Sequence, residues 1–166
     1  MKTQRFIGGL LLSALLFSTA AAADKANFNG QWIMGKGKAE GLPADMEQRM
    51  RVTQQGDKIE IETDIFRGDD VQTVPDSYAL DDKETEFEVH LNSGETTKAK
   101  RTAQWNAAGN GFEVHDVAVF DTANGKVTIT TVRKWALAAD GKTLVIEINR
   151  TTPDGNITTK RTFNRK

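Results

Sequence analysis

Cysteine is absent from the 166 residues, which removes disulfide frameworks, cysteine zinc sites, thiol nucleophiles and thiol redox switching together. Imidazole is scarce, with His90 and His115 the only two. Neither charge dominates: 22 Lys and Arg stand against 23 Asp and Glu, so no polybasic face points to nucleic acid. Aromatic residues make up only 7%. The length suits one domain with a short leader, and it is too short for two ordinary domains. What recurs instead is Thr, Val and Ile, broken by short Gly, Asn and Asp clusters, the composition of an all-β protein.

The single long apolar run lies at the N-terminus. Lys2 and Arg5 precede Phe6–Phe17, and the small residues Ser18–Ala23 follow, ending in Ala21-Ala22-Ala23 before Asp24. This is the order of a secretory signal peptide, and it predicts removal of residues 1–23 after Ala23. A dozen apolar residues fall short of the roughly 20 that a membrane helix needs, so no stable membrane insertion is expected. The expected location is the periplasm or the medium. Residues 24–166 then form one domain that must hold together by its core alone.

Past residue 24 no stretch repeats apolar residues at helical spacing for three turns. Alternation predicts ten strands, near 28–34, 48–55, 58–66, 71–80, 84–91, 96–105, 111–120, 126–136, 143–151 and 156–164. Turn signals between them include Gly56-Asp57, Asn124-Gly125, Asp140-Gly141 and Asp154-Gly155. Short connections predict antiparallel neighbours. The long exception is Gly35–Met46, a loop that could cap one end. One face of each strand is the more apolar, for example Phe112, Val114, Ala118 and Phe120, then Val127, Ile129 and Trp135, then Leu144, Ile146 and Ile148. Ile59, Ile61 and Ile65, and Phe87, Val89 and Leu91, repeat the pattern. An up-and-down meander of about 8–10 strands closing into a barrel accounts for this; a two-sheet sandwich has the same alternation.

Phe28-Asn29-Gly30-Gln31-Trp32 places Gly-x-Trp on the first strand. With Tyr78-Ala79-Leu80-Asp81 and with Trp135-Ala136-Leu137 before Asp140-Gly141-Lys142-Thr143-Leu144, the chain resembles exported bacterial lipocalin-like domains. The Thr-Asp-x-x-Tyr motif of lipocalins is missing. The resemblance implies a lipocalin-like barrel in which a late arginine packs over the tryptophan of Gly-x-Trp. Arg161 over Trp32 is the expected pair closing the barrel.

Charges interrupt the inward face. Arg101, Asp116, Arg133, Arg150 and Arg161 share the parity of the core residues of their strands. If the hairpins centre on their Asn-Gly and Asp-Gly pairs, Asp116 faces Arg133, Arg133 faces Ile148, and Ile148 faces Arg161. A buried charge must be paired or solvated. Two readings follow. In one, Asp116 and Arg133 form a structural bridge, Arg161 closes the barrel over Trp32, and the other arginines reach solvent from an end. In the other, the arginines at the edge of an apolar cavity hold an anionic head group, and Trp105, Trp135 and the inward aliphatics receive its tail. The ligand site so predicted comprises Arg101, Trp105, Asp116, Arg133, Trp135 and Arg150. The expected ligand is a small hydrophobic or amphiphilic anion such as a fatty acid.

Other motifs point elsewhere more weakly. Arg67-Gly68-Asp69 sits where a turn is needed, Asp69-Asp70 and Asp81-Asp82 lack calcium-loop spacing, and the sequons at Asn149 and Asn156 matter only in a eukaryotic secretory pathway. No Gly-x-Ser-x-Gly, phosphate loop or two-histidine zinc signature occurs. His115 and Asp116 point to opposite faces and make no dyad, and Asp116 is the one inward acid that could act as a base. No enzyme activity, cofactor or metal is expected. The competing functional class is an envelope or secreted protein-interaction module with a packed barrel.

Overall fold

Alternation becomes eleven antiparallel strands in the computed structural model, which describes residues 25–90, 96–122 and 125–166. They are β1 (Gly30–Met34), β2 (Ala39–Glu40), β3 (Glu47–Gln55), β4 (Lys58–Arg67), β5 (Asp70–Ala79), β6 (Thr85–His90), β7 (Thr96–Trp105), β8 (Gly111–Thr122), β9 (Gly125–Leu137), β10 (Thr143–Thr152) and β11 (Gly155–Arg165). All ten expected strands are present. The two-residue β2 lies inside the segment read as loop. The leader expected over 1–23, Leu91 and Asn124 lie outside the described residues.

The strands form one curled sheet in the order β5-β4-β3-β1-β11-β10-β9-β8-β7-β6, with β2 also paired to β11. First and last strands meet as expected, Trp32 opposite Arg165. The ladder does not close on itself, because β5 and β6 are its two ends. Pro75 sits in β5, and a residue without an N–H is tolerated on an edge strand. Beyond β5 the chain crosses this seam at one end: Asp81 bridges to Gln104, and the Asp82 N–H donates to the Ala103 carbonyl at 3.0 Å.

Two hairpins depart from the expected register, each by two residues. The observed pairs are Thr122 with Gly125 and Thr152 with Gly155. Each glycine therefore opens the following strand, at φ +110° and +130°, values that need glycine. Arg133 consequently faces Val114, Asp116 faces Thr131, and Arg161 faces Ile146. The hairpin at Asp140-Gly141 has the expected register, with Arg133 opposite Ile148. A slip of two leaves every side chain on its own face, so the inward set survives intact.

One end of the barrel is plugged. Phe28, Trp32, Phe112, Leu144 and Phe163 are fully buried there, each contributing about 1.5–3 kcal/mol by burial. Phe112 stacks on Trp135 with centroids 5.0 Å apart, and Phe28 meets Phe112 edge-on at 5.1 Å. The Gln54 side chain ties down residues 26–28, accepting from the Phe28 N–H at 2.8 Å and donating to the Ala26 carbonyl at 3.1 Å. Burial fades toward the opposite end. Ile157 and Val74 share the inward parity of their strands yet are 55% and 37% exposed.

Candidate functional site

Halfway along the interior, a belt of charges separates the aromatic plug from the wider end. Arg101 on β7 lies directly opposite Asp116 on β8, and both are buried, at 7% and 6% exposure. Arg101 donates through Nε to Asp116 Oδ1 at 2.6 Å and through Nη2 to Oδ2 at 2.9 Å. Its Nη1 reaches β5, donating to Asp76 Oδ1 at 2.5 Å and to the Ser77 carbonyl at 3.0 Å. Arg133 Nη1 donates to the second oxygen of Asp116. The Tyr78 hydroxyl donates to Asp76 Oδ2 at 2.8 Å. Two guanidinium groups and two carboxylates thus neutralise one another.

The β7–β8–β9 register that builds this belt is held by a close backbone approach. A Cβ on Gly111 would stand 2.1 Å from the Trp135 carbonyl oxygen, so only glycine fits. The belt in turn sets its own ionisation. Burial works against both charged forms at Arg101 and Asp116, but their mutual hydrogen bonds outweigh it; Arg101 is raised and Asp116 lowered from their ordinary values. Arg133 is raised as well, burial being overcome by neighbouring negative charge. Burial, reinforced by the charge of Asp76, pushes the Tyr78 phenol well up.

Beside the belt lies a cavity of about 320 Å³ bounded by β3, β4 and β5 on one wall and by β9, β10 and β11 on the other. Its lining is mixed, with Met50, Ile61, Ile65, Trp135, Ile146, Ile148 and Phe163 alongside Gln48, Tyr78, Arg133, Arg150 and Arg161. Among the described residues Arg161 has no carboxylate partner; its Nη1 donates to Gln48 Oε1 at 3.2 Å, and its Nε is buried without a hydrogen-bond partner. Burial, then the nearby charge of Arg133, lowers its pKa. Arg150 lines the same space from a more exposed position. The indole nitrogen of Trp135 is also buried and unpartnered.

The residues singled out by sequence divide between these features. Arg101, Asp116 and Arg133 come together in the belt, and Arg133, Trp135 and Arg150 line the cavity. Trp105 does neither: it stands in the plug, its indole N–H donating to Asp57 Oδ1 at 2.8 Å and Lys25 Nζ 5.3 Å from its ring. Asp116 meets Arg133 diagonally rather than face to face, because of the register shift. The arginine over Trp32 is Arg165, not Arg161; its guanidinium lies 4.4 Å from the ring and donates to the Asn29 and Asn27 carbonyls. The same parity serves both arginines, and Arg165 is the one opposite Trp32 in the ladder.

Sequence reasoning passed over Asp76, Tyr78 and Gln48. Their signal is the parity of Leu80 on one strand and of Met50 and Val52 on the other. His115, by contrast, pairs with Glu113 at 2.5 Å away from the belt. Among the described residues no group of three or more His, Cys, Asp and Glu could hold a metal ion.

No protein-family model and no curated protein matches the sequence. Solved structures resemble the fold. Zebrafish ileal bile acid-binding protein complexed with cholic acid superposes at a TM-score of 0.51 and 15% identity, over 84% of this chain and 98% of that one. Secretory abundant heat soluble protein 4 from Ramazzottius varieornatus gives 0.55 and 12%, over 88% and 99%. Human cRBP IV gives 0.49 and 14%, over 85% and 99%. The fold is a lipocalin-like antiparallel β-barrel.

Proposed function

We propose that the protein is an exported carrier that binds a small amphiphilic anion, fatty-acid-like in character, and works by binding rather than by catalysis. The observation behind this reading is the charge balance around the cavity. Arg101 and Arg133 are matched by Asp76 and Asp116. Arg161 and Arg150 face the same space with no acid of their own among the described residues. A carboxylate seated on Arg161, with Arg150 nearer the mouth, supplies one of the two missing charges, and the tail lies along Ile61, Ile65, Ile146 and Ile148. A guanidinium suits this task because it presents paired donors to a carboxylate. The volume falls at the lower end of ordinary ligand pockets, about 300–1,000 Å³.

The zebrafish protein similar in fold is complexed with cholic acid, in keeping with an amphiphilic anion in such a barrel. Asp116, held ionised between two guanidinium groups, is a weak base, which argues against a hydrolase or isomerase. Export rests on the order of Lys2, Arg5 and the apolar run Phe6–Phe17.

Tryptophan fluorescence of a delipidated sample, titrated with a panel of fatty acids and bile acids, tests the binding reading, since Trp135 lines the cavity. Saturable change is expected. Arg161→Gln removes a charged hydrogen bond of about 1.5–3 kcal/mol and should weaken affinity by roughly 10- to 100-fold. Unchanged emission with every member of the panel overturns the reading. Cell fractionation with N-terminal sequencing tests export: chains beginning at Asp24 are expected outside the cytoplasm.

A further inference from the structure

We infer that Asp76 and Arg101 form a latch across the seam that sets how wide a ligand the barrel admits. The inference rests on the carrier reading and adds a specificity-determining contact to it. No backbone pairing joins β5 to β6 among the described residues. Instead the Arg101 guanidinium occupies the gap, 4.2 Å from the Phe87 ring on β6 and 4.8 Å from the Tyr78 ring on β5. It fastens onto β5 through Asp76 and the Ser77 carbonyl.

On the outer side of this contact runs a groove of about 1030 Å³ that includes Pro75, Leu80 and Phe87. Ile61, Asp76 and Tyr78 line both this groove and the interior cavity. The two spaces are therefore neighbours, and Asp76 and Tyr78 at their border both contact Arg101. Between neighbours in the strand order the wall is a backbone ladder, and widening it there means breaking backbone hydrogen bonds. At the seam, away from the backbone bridge of Asp81 to Gln104, only contacts made by side chains have to part. With the latch closed the cavity suits a slender chain; with it released the groove joins the cavity and a wide ring system fits.

Asp76 carries the test because its side chain is 30% exposed and Arg101 keeps Asp116 when it is changed. Calorimetry compares laurate, a slender monoanion, with 1-pyrenebutyrate, a wide one bearing the same head group. Asp76→Asn should shift the ratio of the two dissociation constants at least fivefold in favour of pyrenebutyrate. Asp76→Glu, which keeps the carboxylate, should return the ratio toward that of the parent. Phe87→Ala loosens the clamp from the opposite bank and should act in the same direction, so the test survives if one variant fails to fold. Arg165→Ala, a change at the plugged end, should lower stability and leave the ratio alone.

An unchanged ratio in folded Asp76→Asn and Phe87→Ala, with laurate still binding, overturns the latch and leaves the carrier reading standing. An equal shift in Arg165→Ala also overturns it, since general loosening then suffices. Failure of the parent chain to bind either ligand overturns both.

Discussion

Replacing Asp116 by asparagine is the sharpest probe of the belt. The carboxylate is 6% exposed and accepts two hydrogen bonds from Arg101, at 2.6 and 2.9 Å, and one from Arg133. The amide is neutral and turns two hydrogens toward these donors. Breaking a buried ion pair from one side typically costs about 3–5 kcal/mol, because the partner charge stays behind uncompensated. Arg101 retains Asp76, which puts the expected loss at the lower end, about 3 kcal/mol. Against a total of about 5–15 kcal/mol for a domain this is a large share. Urea unfolding followed by tryptophan emission should show the midpoint falling by roughly 1–2 M at an unchanged slope. A loss under about 1 kcal/mol, the range of exposed pairs, would refute the belt as a desolvated network.

The pH dependence carries the same signature. The folded-state pKa of Asp116 lies below the ordinary aspartate value of 3.8. Its contribution is therefore complete above that unfolded value and disappears as pH falls through the lower folded value. Parent and Asp116→Asn should differ fully at neutral pH and converge in acid.

Three further substitutions separate the structural contributions. Arg165→Ala removes the cap on Trp32 and two hydrogen bonds to carbonyls, and should cost about 1–3 kcal/mol in thermal unfolding; an unshifted melting temperature contradicts the closure role. Gly111→Ala forces a Cβ onto the Trp135 carbonyl, a backbone clash expected to cost about 3 kcal/mol in urea unfolding; tolerance would mean that β8 and β9 are not held as closely as described. Glu62→Gln breaks an ion pair with Arg51 whose side chains are 61% and 50% exposed, and chemical denaturation should register less than about 0.5 kcal/mol; a larger loss would show that surface pairs brace this sheet.

Much of this architecture was legible in the alternation. All ten expected strands are present, and Arg101, Asp116 and Arg133 share the interior their parity assigned to them. Turn chemistry was the weaker guide. Asn124-Gly125 and Asp154-Gly155 match two-residue loops, yet Gly125 and Gly155 open strands instead, so their positive φ marked the loop boundary rather than its centre. That two-residue shift changed neighbours without changing faces, which is why the belt residues came right and their pairing did not. Pro75 was the available signal that β5 is an edge, and Asp76 with Tyr78 was readable from the parity of Leu80.

By itself, then, the sequence determined which side of each strand every residue occupies, because in an extended backbone that direction is a local property repeating every second residue. Which charges meet is not local. Arg101 and Asp76 are 25 residues apart on strands that share no ladder, and they touch only because ten paired strands curl far enough to bring the sheet's ends together. Arg165 rather than Arg161 over Trp32 follows from the register of β1 on β11; the neutral belt and the seam itself follow from that curl, a cumulative twist set by the whole sheet.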